Sequence, residues 1–185
     1  FWGRDPSGVL QYFDDYNAPD GPGYHHEEWY VPTRHQADGR CYWSRSYKDP
    51  YSGEPMVTCS MPMYRDGAFS GVSTIDLRLS GLQAFLSSEA REFSGYAFAL
   101  DRNGVLITTP MPTTPAIAPV LPQPTESLDS FADNHPAFRP MADWLLAPPT
   151  IRPDAETQAL ATAIDRGTDS IDADEALRIA QQLHA

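Results

Sequence analysis

The stretch MVTCSMPMYRDGAFSGVSTIDL, residues 56–77, decides the fold of this chain. Its two halves are rich in β-branched and aromatic residues, and the Asp-Gly pair between them signals a tight turn. The stretch therefore predicts an antiparallel hairpin. Upstream, RCYWSRSY (residues 40–47) predicts another strand, which the turn DPYSGEP joins to the hairpin. Three successive strands joined by short turns form an antiparallel meander.

On either side of the meander the pattern changes. RLSGLQAFLSSEAREF (residues 78–93) has apolar residues at helical spacing and predicts a helix. GYAFALDRNGVLITTP (residues 95–110) predicts a second hairpin, with its Asn-Gly pair in the turn. At the start of the chain, DPSG (residues 5–8) separates two short apolar runs in another hairpin-like pattern.

The last third of the chain is rich in proline and then helical. Residues 110–153 predict loop and linker with one short helix, AFRPMADWLLA. Residues 154–185 carry apolar residues at helical intervals. Either Ser170 or Asp172 is expected to cap the final helix, and Glu175 completes a capping box behind Asp172. An antiparallel sheet combined with separate helices predicts an α+β fold.

Charge and length limit the function. The 185 residues include 13 Lys and Arg against 25 Asp and Glu, giving a net charge of −12. This surface repels phosphate backbones, which argues against a nucleic-acid partner, whereas it attracts small cations. Solubility explains the acidity equally well. The chain contains neither an apolar run of about 18 residues nor a signal peptide. Both ends look cut, so we expect a piece of a longer protein.

The two cysteines leave their pairing open. Cys41 and Cys59 fit neither a zinc-site spacing nor a CxxC redox motif. A disulfide between them requires facing positions on neighbouring strands. Two buried free thiols are the alternative.

Several motifs resemble the double Cache family of sensor domains, whose modules are PAS-like. The family shows a P-x-Y/F-x-D-G turn and then a G-V-x-x-x-D strand, and a G-Y-x-F-x-L-D-x-N-G hairpin follows. The positions that match the turn and strand are Pro62, Tyr64, Asp66, Gly67, Gly71, Val72 and Asp76. The resemblance covers roughly residues 12–110 and is fairly specific.

The resemblance implies a domain division. Residues 1–93 correspond to a membrane-distal, PAS-like ligand-binding module that lacks its first long helix. Residues 94–110 form the hairpin that opens an incomplete membrane-proximal module, residues 111–153 are a proline-rich linker, and residues 154–185 are a helical segment. It also implies a periplasmic or extracellular location, a membrane-anchored parent receptor of a bacterial signalling system, and a homodimer as one arrangement.

The resemblance further implies a ligand site. A large branch of the family holds an amino-acid carboxylate with an Arg-x-Trp-Tyr stretch, and the ammonium with a Tyr-x-Asp and the strand aspartate. Here Trp29-Tyr30 match the aromatic pair, but Glu27 stands where the family has arginine. The complete candidate set is Glu27, Trp29, Tyr30, Trp43, Tyr47, Asp49 and Asp76.

The substitution of Glu27 for arginine reverses the charge at the carboxylate end. An arginine holds a carboxylate bidentately, whereas a glutamate repels it. Aspartates at the ammonium end, with aromatic rings in cation–π range, favour a positively charged ligand. We therefore expect a biogenic amine, polyamine or quaternary amine; an amino acid is the alternative. Each residue also has a simpler interpretation: the aromatics pack in a core, Asp49 starts a turn, and only one of Glu27 and Glu28 lines a pocket.

Other functions have weaker support in the sequence. A metal site would use His25 or His26 with Glu27 or Glu28 and His35, but no repeated ligand spacing is present. The acidic residues 14–21 lack the ligand pattern of a calcium loop. No nucleophile motif indicates a hydrolase, so neither an enzyme nor a cofactor is expected. A structural or protein-binding extracellular module without a small ligand is the main alternative from another class.

Overall fold

The structure of the chain is a computed structural model that describes residues 2–12, 18, 20–21, 23–37, 39–90, 97–110, 126–147 and 152–184. The strands are β1 (Trp2–Arg4), β2 (Leu10–Tyr12), β3 (Tyr42–Trp43), β4 (Tyr47–Lys48), β5 (Pro55–Arg65) and β6 (Ala68–Arg78). The helices are α1 (Leu79–Ala90), α2 (Leu128–Asn134), α3 (Arg139–Leu145), α4 (Ala155–Gly167) and α5 (Ala173–His184). Short 3-10 turns occupy Pro32–His35 and Pro136–Phe138. An antiparallel sheet with separate helices confirms the predicted α+β class.

The long hairpin of β5 and β6 is the centre of the sheet. Asp66 and Gly67 have φ values of 53° and 78°, the left-handed conformation that a two-residue hairpin turn requires. The pairing runs from Arg65 opposite Ala68 to Met56 opposite Arg78, with one irregularity between Met63 and Tyr64. The hairpin predicted from the sequence is confirmed. β1 and β2 also pair antiparallel, in a separate two-stranded sheet.

The predicted continuous strand over residues 40–47 is wrong, because the structure divides it. β3 pairs with Ser60 and Cys59, β4 pairs with Met56 and Pro55, and the intervening residues leave the strand. Within the gap the Ser44 hydroxyl accepts a hydrogen bond from the backbone N–H of Thr58 at 2.9 Å. A serine side chain that takes the place of a backbone acceptor competes with the regular ladder, which explains the interruption.

A disulfide joins Cys41 to Cys59, with the two Cα atoms 5.7 Å apart. Cys59 lies on β5 directly opposite Trp43 of β3, so the bridge connects β5 to the residue just before its edge partner. The two cysteines are thus diagonal and not directly opposite, so the expected need for facing positions is wrong, but their Cα separation lies in the range usual for a bridge, and the open choice between disulfide and free thiols is resolved as a disulfide.

The segment after α1 forms a turn and not two regular strands. Leu100 and Leu106 form an isolated bridge, and the Asp101 carboxylate accepts hydrogen bonds from the N–H groups of Asn103 and Val105 at 2.9 and 3.0 Å. The predicted hairpin thus keeps its Asn-Gly turn, but its strands are not regular. Residues 91–93 of the predicted helix and 95–96 of the hairpin lie outside the described residues.

Residues 126–147 form two short helices where the sequence predicted one. Phe131 and Ala132 of α2 and Ala142 of α3 pack around Leu106 in a small core. The Ser127 hydroxyl caps α2 by accepting from the Ser130 N–H. Residues 111–125 and 148–151 of the predicted linker lie outside the described part of the chain, and the domain division remains a prediction.

The helical pair α4–α5 packs onto the edge of the sheet. Tyr42 of β3 is 2% exposed and lies in one core with Ile164 of α4 and Ile179 of α5. Of the two predicted caps of α5, Ser170 and Asp172, it is Asp172 that accepts from the Glu175 N–H, at 2.8 Å. The predicted capping box is wrong in its second half, since the Glu175 side chain is bound elsewhere. None of the helices described here has the length and apolar character needed to span a membrane.

Candidate functional site

Tyr47, Thr58 and Asp76 form a hydrogen-bonded group across the three strands of the sheet. Thr58 and Asp76 are paired in register, and the Thr58 hydroxyl donates to the Asp76 carboxylate at 2.8 Å. The Tyr47 hydroxyl lies 2.8 Å from the Thr58 hydroxyl and 3.4 Å from the carboxylate. Partial burial raises the pKa of Tyr47, and the negative charges of Asp76 and Asp49 add to the shift. Asp76 itself is exposed, so its carboxylate is accessible to a cationic group from solvent.

Asp49 holds a turn instead of facing this group. Its carboxylate accepts hydrogen bonds from the hydroxyl and the N–H of Ser52 at 2.6 and 2.7 Å. These hydrogen bonds lower the pKa of Asp49. The sequence left open whether Asp49 lines a pocket or starts a turn, and in the structure it starts a turn.

Trp29 and Tyr30 belong to an aromatic cluster. The Trp29 and Tyr30 rings lie 5.7 Å apart, and Tyr24 and His25 stack beside them. Tyr30 is 7% exposed and contacts Phe69 of β6 edge-on at 6.0 Å. These contacts bury one face of the cluster against the sheet.

The backbone around Glu27 forms turns, so the strand alternation assumed for Glu27 and Glu28 is wrong. The N–H groups of Tyr30 and Val31 both donate to the Glu27 carbonyl at 3.0 Å. The Glu27 side chain is 44% exposed and lies 3.9 Å from His26. Glu28 is the one that points inward.

The acidic group and the aromatic cluster lie at opposite ends of β6. Asp76 and Phe69 are seven residues apart on this strand, which at about 3.4 Å per residue separates them by roughly 24 Å. In this structure the predicted site residues therefore form two groups: Tyr47 with Asp76, and Glu27, Trp29 and Tyr30 near Phe69.

Trp43 faces the other side of the sheet. Adjacent strand residues point to opposite faces, so Val57 and Leu77 face away from their neighbours Thr58 and Asp76. Trp43 is 41% exposed and lines a cavity of about 290 Å³ together with Val57 and Leu77.

A buried ionic cluster was missed by the sequence analysis. The Glu28 carboxylate accepts from the Tyr42 hydroxyl at 2.5 Å and from Arg102 at 3.0 Å. Arg102 also contacts Glu175 of α5 at 3.2 Å, and Arg45 contacts the same glutamate at 3.1 Å. The Arg102 guanidinium lies over the Tyr42 ring, 4.9 Å from its centroid.

The charges of this ionic cluster hold α5 against the turn that contains Arg102. Burial opposes ionisation of Arg102, but Tyr42, Glu28 and Glu175 more than offset this effect and raise the pKa of Arg102. Burial, together with Glu28, also raises the pKa of Tyr42 well above its usual value. Asn103 donates a further hydrogen bond to Glu175 at 2.9 Å. Only the possibility that Glu28 points inward was within reach of the sequence, because Arg102, which joins Glu28 to Glu175, is more than 70 residues from both glutamates.

Metal binding finds no support in the described ranges, where no group of three or more His, Cys, Asp or Glu side chains is arranged to hold an ion.

Residues 7–84 match the family described as "Methyl-accepting chemotaxis protein-like, first PDC sensor domain". The match spans somewhat less than half of the chain and includes all seven candidate residues. It supports a chemoreceptor-type sensor module and confirms the prediction of a ligand-binding module, not an enzyme, for this segment. The finer assignment to the double Cache subtype remains a proposal.

Among curated proteins, the chain is similar to methyl-accepting chemotaxis protein McpC of Bacillus subtilis (strain 168). The two are 29% identical over 97 residues, which are 52% of this chain and 14% of that protein. The chain therefore spans only a small part of this relative.

The chain is also similar to solved structures, of which two are described here. One is the ligand-binding domain of the Pseudomonas fluorescens chemoreceptor CtaA with L-valine, at 23% identity and a TM-score of 0.42, covering 71% of this chain and 55% of that one. The other is the ligand-binding domain of the Pseudomonas aeruginosa PAO1 amino acid chemoreceptor PctC with GABA, at 28% identity and a TM-score of 0.39, covering 59% and 48%. The chain spans about half the length of each.

Proposed function

We propose that residues 1–93 are the ligand-sensing module of a bacterial transmembrane receptor and that its ligand carries an ammonium group. The observation that carries the proposal is the Tyr47–Thr58–Asp76 group, which lies within the segment similar to chemoreceptor sensor domains. Asp76 presents an exposed carboxylate whose orientation is fixed by Thr58. An ammonium donates up to three hydrogen bonds to such acceptors.

The charge pattern favours an amine without an essential carboxylate over an amino acid. Glu27 occupies the position at which related domains are expected to carry arginine, and the chain has a net charge of −12. This field attracts cations and disfavours anions, so a biogenic amine, polyamine or quaternary amine is the ligand class proposed. An amino acid remains the second candidate, because Trp29, Tyr30, Tyr47, Asp49 and Asp76 match the pattern with which related sensor domains are expected to hold one.

Within this proposal the candidate residues have unequal roles. Asp76 and Tyr47 anchor the ammonium. We propose that the segment formed by residues 17–39 closes over the sheet when the ligand binds, which brings Glu27, Trp29 and Tyr30 to the site. By favouring the closed conformation over the open one, the ligand would transmit the signal. Asp49 and Trp43, by contrast, are proposed to support the site through the turn and the sheet.

We place the module outside the cytoplasm, in a membrane-anchored parent receptor. The Cys41–Cys59 disulfide supports this location, because disulfides persist mainly in oxidising compartments. A homodimer is the oligomeric state proposed for the receptor. Crosslinking of the full-length receptor in membranes tests it.

Thermal denaturation with a ligand panel tests the proposed function. Putrescine, choline, GABA, valine and acetate sample amines, zwitterions and an anion. A ligand at one hundred times its Kd adds about 2.7 kcal/mol to the free energy of unfolding, so binding raises Tm measurably. Amines are expected to raise Tm and acetate to leave it unchanged.

A matched pair of variants locates the site. Asp76→Asn removes the anchoring charge and is expected to weaken amine binding at least tenfold. Asp66→Asn removes the same charge from the exposed turn of the same hairpin, where asparagine tolerates the left-handed backbone, and is expected to bind normally. If valine binds tightly and the amines do not bind, the ligand class is an amino acid and not an amine. A flat response to every compound would favour a structural module.

A further inference from the structure

The hydrogen bonds that join Tyr47, Thr58 and Asp76 have a fixed direction. A carboxylate only accepts hydrogen bonds, so the Thr58 hydroxyl, 2.8 Å from Asp76 Oδ1, must donate its single proton to this oxygen. The Tyr47 hydroxyl lies 2.8 Å from the Thr58 oxygen, and Thr58 has no second proton to donate. Tyr47 therefore donates to Thr58, and Thr58 donates to Asp76.

Burial keeps the protons of this chain in place. Thr58 is 5% exposed, so water does not compete for its hydroxyl. Partial burial raises the pKa of Tyr47, and the negative charges of Asp76 and Asp49 add to the shift, so the phenol keeps its proton at neutral pH. The proton that Tyr47 keeps is the one that Thr58 accepts.

The polar atoms left for a ligand are acceptors. The Tyr47 oxygen has used its proton and retains a lone pair, and no described residue donates to Asp76 Oδ2. The Tyr47 oxygen is 3.4 Å from Asp76 Oδ1, so a single ligand nitrogen can contact both side chains. A ligand gains hydrogen bonds from these two side chains only through donors of its own.

We propose that Tyr47 and Asp76 select cations that carry N–H groups, primary ammonium ions above all, over quaternary ammonium ions of equal charge, and that Thr58 is the positioning residue for this preference. The inference rests on the proposed amine-binding function and narrows its ligand class. A primary ammonium can donate to Asp76 and to Tyr47, and its third N–H keeps a water molecule because Asp76 is exposed. A quaternary ammonium has no N–H, and its methyl groups hold its nitrogen away from both oxygens.

Aromatic rings do not offset this difference. Quaternary ammonium ions are recognised by cages of several aromatic faces. Of the aromatic candidates, Tyr47 lies at Asp76, whereas Trp29 and Tyr30 pack near Phe69 at the other end of β6. Rings that arrive when residues 17–39 close over the sheet attract both kinds of cation, so the N–H groups still decide the preference.

Ethanolamine and choline test the proposal directly. Both carry one positive charge and the same hydroxyethyl tail, and they differ only in having N–H or N–methyl groups. Isothermal titration calorimetry at neutral pH measures their affinities. Ethanolamine should bind about tenfold more tightly or better, because hydrogen bonds to charged groups are among the stronger ones. Putrescine and its bis-trimethylammonium derivative repeat the comparison with a longer ligand.

Two variants of nearly unchanged shape connect the preference to this group. Thr58→Val removes the hydroxyl that accepts the Tyr47 proton, so this proton turns to Asp76 and competes with the ligand. Tyr47→Phe keeps the ring and removes the acceptor. In both variants the affinity for ethanolamine should fall to about that for choline, whereas a merely structural role would lower both affinities together. Thr74→Val is the control, since it removes an exposed hydroxyl from the same face of β6 and should leave the preference unchanged.

Two results overturn the proposal and leave the amine-binding function standing. One is choline binding to the wild type as tightly as ethanolamine, and the other is a preference that survives in both Thr58→Val and Tyr47→Phe. If none of the four compounds binds the wild type, the proposed amine-binding function fails, and this inference fails with it. If one variant lacks a cooperative melting transition, the wild type and the other variant decide.

Discussion

Removing the Arg102 guanidinium should destabilise the protein strongly. Arg102 is 7% exposed and lies 3.0 and 3.2 Å from Glu28 and Glu175, which are 11% and 5% exposed. Arg102→Ala would leave two buried carboxylates without their shared cation. Breaking a buried ion pair in this way costs about 3–5 kcal/mol. With a urea m-value of about 2 kcal/mol per M, the unfolding midpoint should fall by about 1.5–2.5 M.

Arg139 provides the matched control. It also bridges several carboxylates, but Asp129 and Asp143 are 64% and 65% exposed. Exposed ion pairs contribute little to stability, so Arg139→Ala should leave the midpoint nearly unchanged. Urea unfolding followed by the fluorescence of the four tryptophans measures both variants.

Hydrogen exchange shows where the Arg102 variant loosens. Glu175 lies in the first turn of α5, so loss of its buried partner should speed amide exchange in Ala173–His184 more than in β5. The reasoning is refuted if Arg102→Ala unfolds at the same urea concentration as Arg139→Ala, or if exchange in α5 does not change.

Three further predictions concern stability. Replacing both Cys41 and Cys59 by serine should lower the free energy of unfolding by about 3 kcal/mol, because the bridge closes a loop with a sequence separation of 18. Calorimetry should show a Tm about 6–12 °C lower, and an unchanged Tm would contradict this prediction. Hydrogen bonds from a hydroxyl and a backbone N–H of its own turn lower the pKa of Asp49 below 3.8, so the stabilisation that Asp49 provides is present above that pH and is lost as the pH falls through the lowered value. Asp49→Asn should therefore have a lower Tm than the wild type at neutral pH and the same Tm in strong acid. A Tm difference that does not change with pH would contradict this prediction. Ile164→Ala in the core should lower the free energy of unfolding, measured in urea, by about 2–5 kcal/mol. Ile75 is 63% exposed, so Ile75→Ala should lower it by less than about 0.5 kcal/mol. Equal losses in the two variants would mean that Ile164 is not part of the core.

Local signals allowed the central elements to be predicted. The Asp66-Gly67 turn and the two strands that it joins were predicted, and Asp172 was one of the two residues expected to cap α5. These features depend on neighbouring residues. The break between β3 and β4 could not be predicted, because it depends on the Ser44 hydroxyl meeting the Thr58 N–H on another strand.

The candidate site was predictable only in part, for the same reason. Tyr47 and Asp76 come together because the strand register places both next to Thr58. The aromatic residues were expected beside them, but Tyr30 packs on Phe69 at the far end of β6. The alternation of side chains along a strand predicts which of two adjacent residues faces a pocket. It does not predict where along the strand a loop will pack.

The sequence by itself determined the α+β class, the acidic character of the surface and the similarity to sensor modules, because composition, turn residues and hydrophobic period act over short distances. Only the tertiary structure decided that Glu28 and Glu175 share Arg102, and that a cavity forms where sheet, α1 and α5 meet. Such features join residues far apart in the chain, and the burial that gives their charges and cavities energetic weight exists only once the elements have packed.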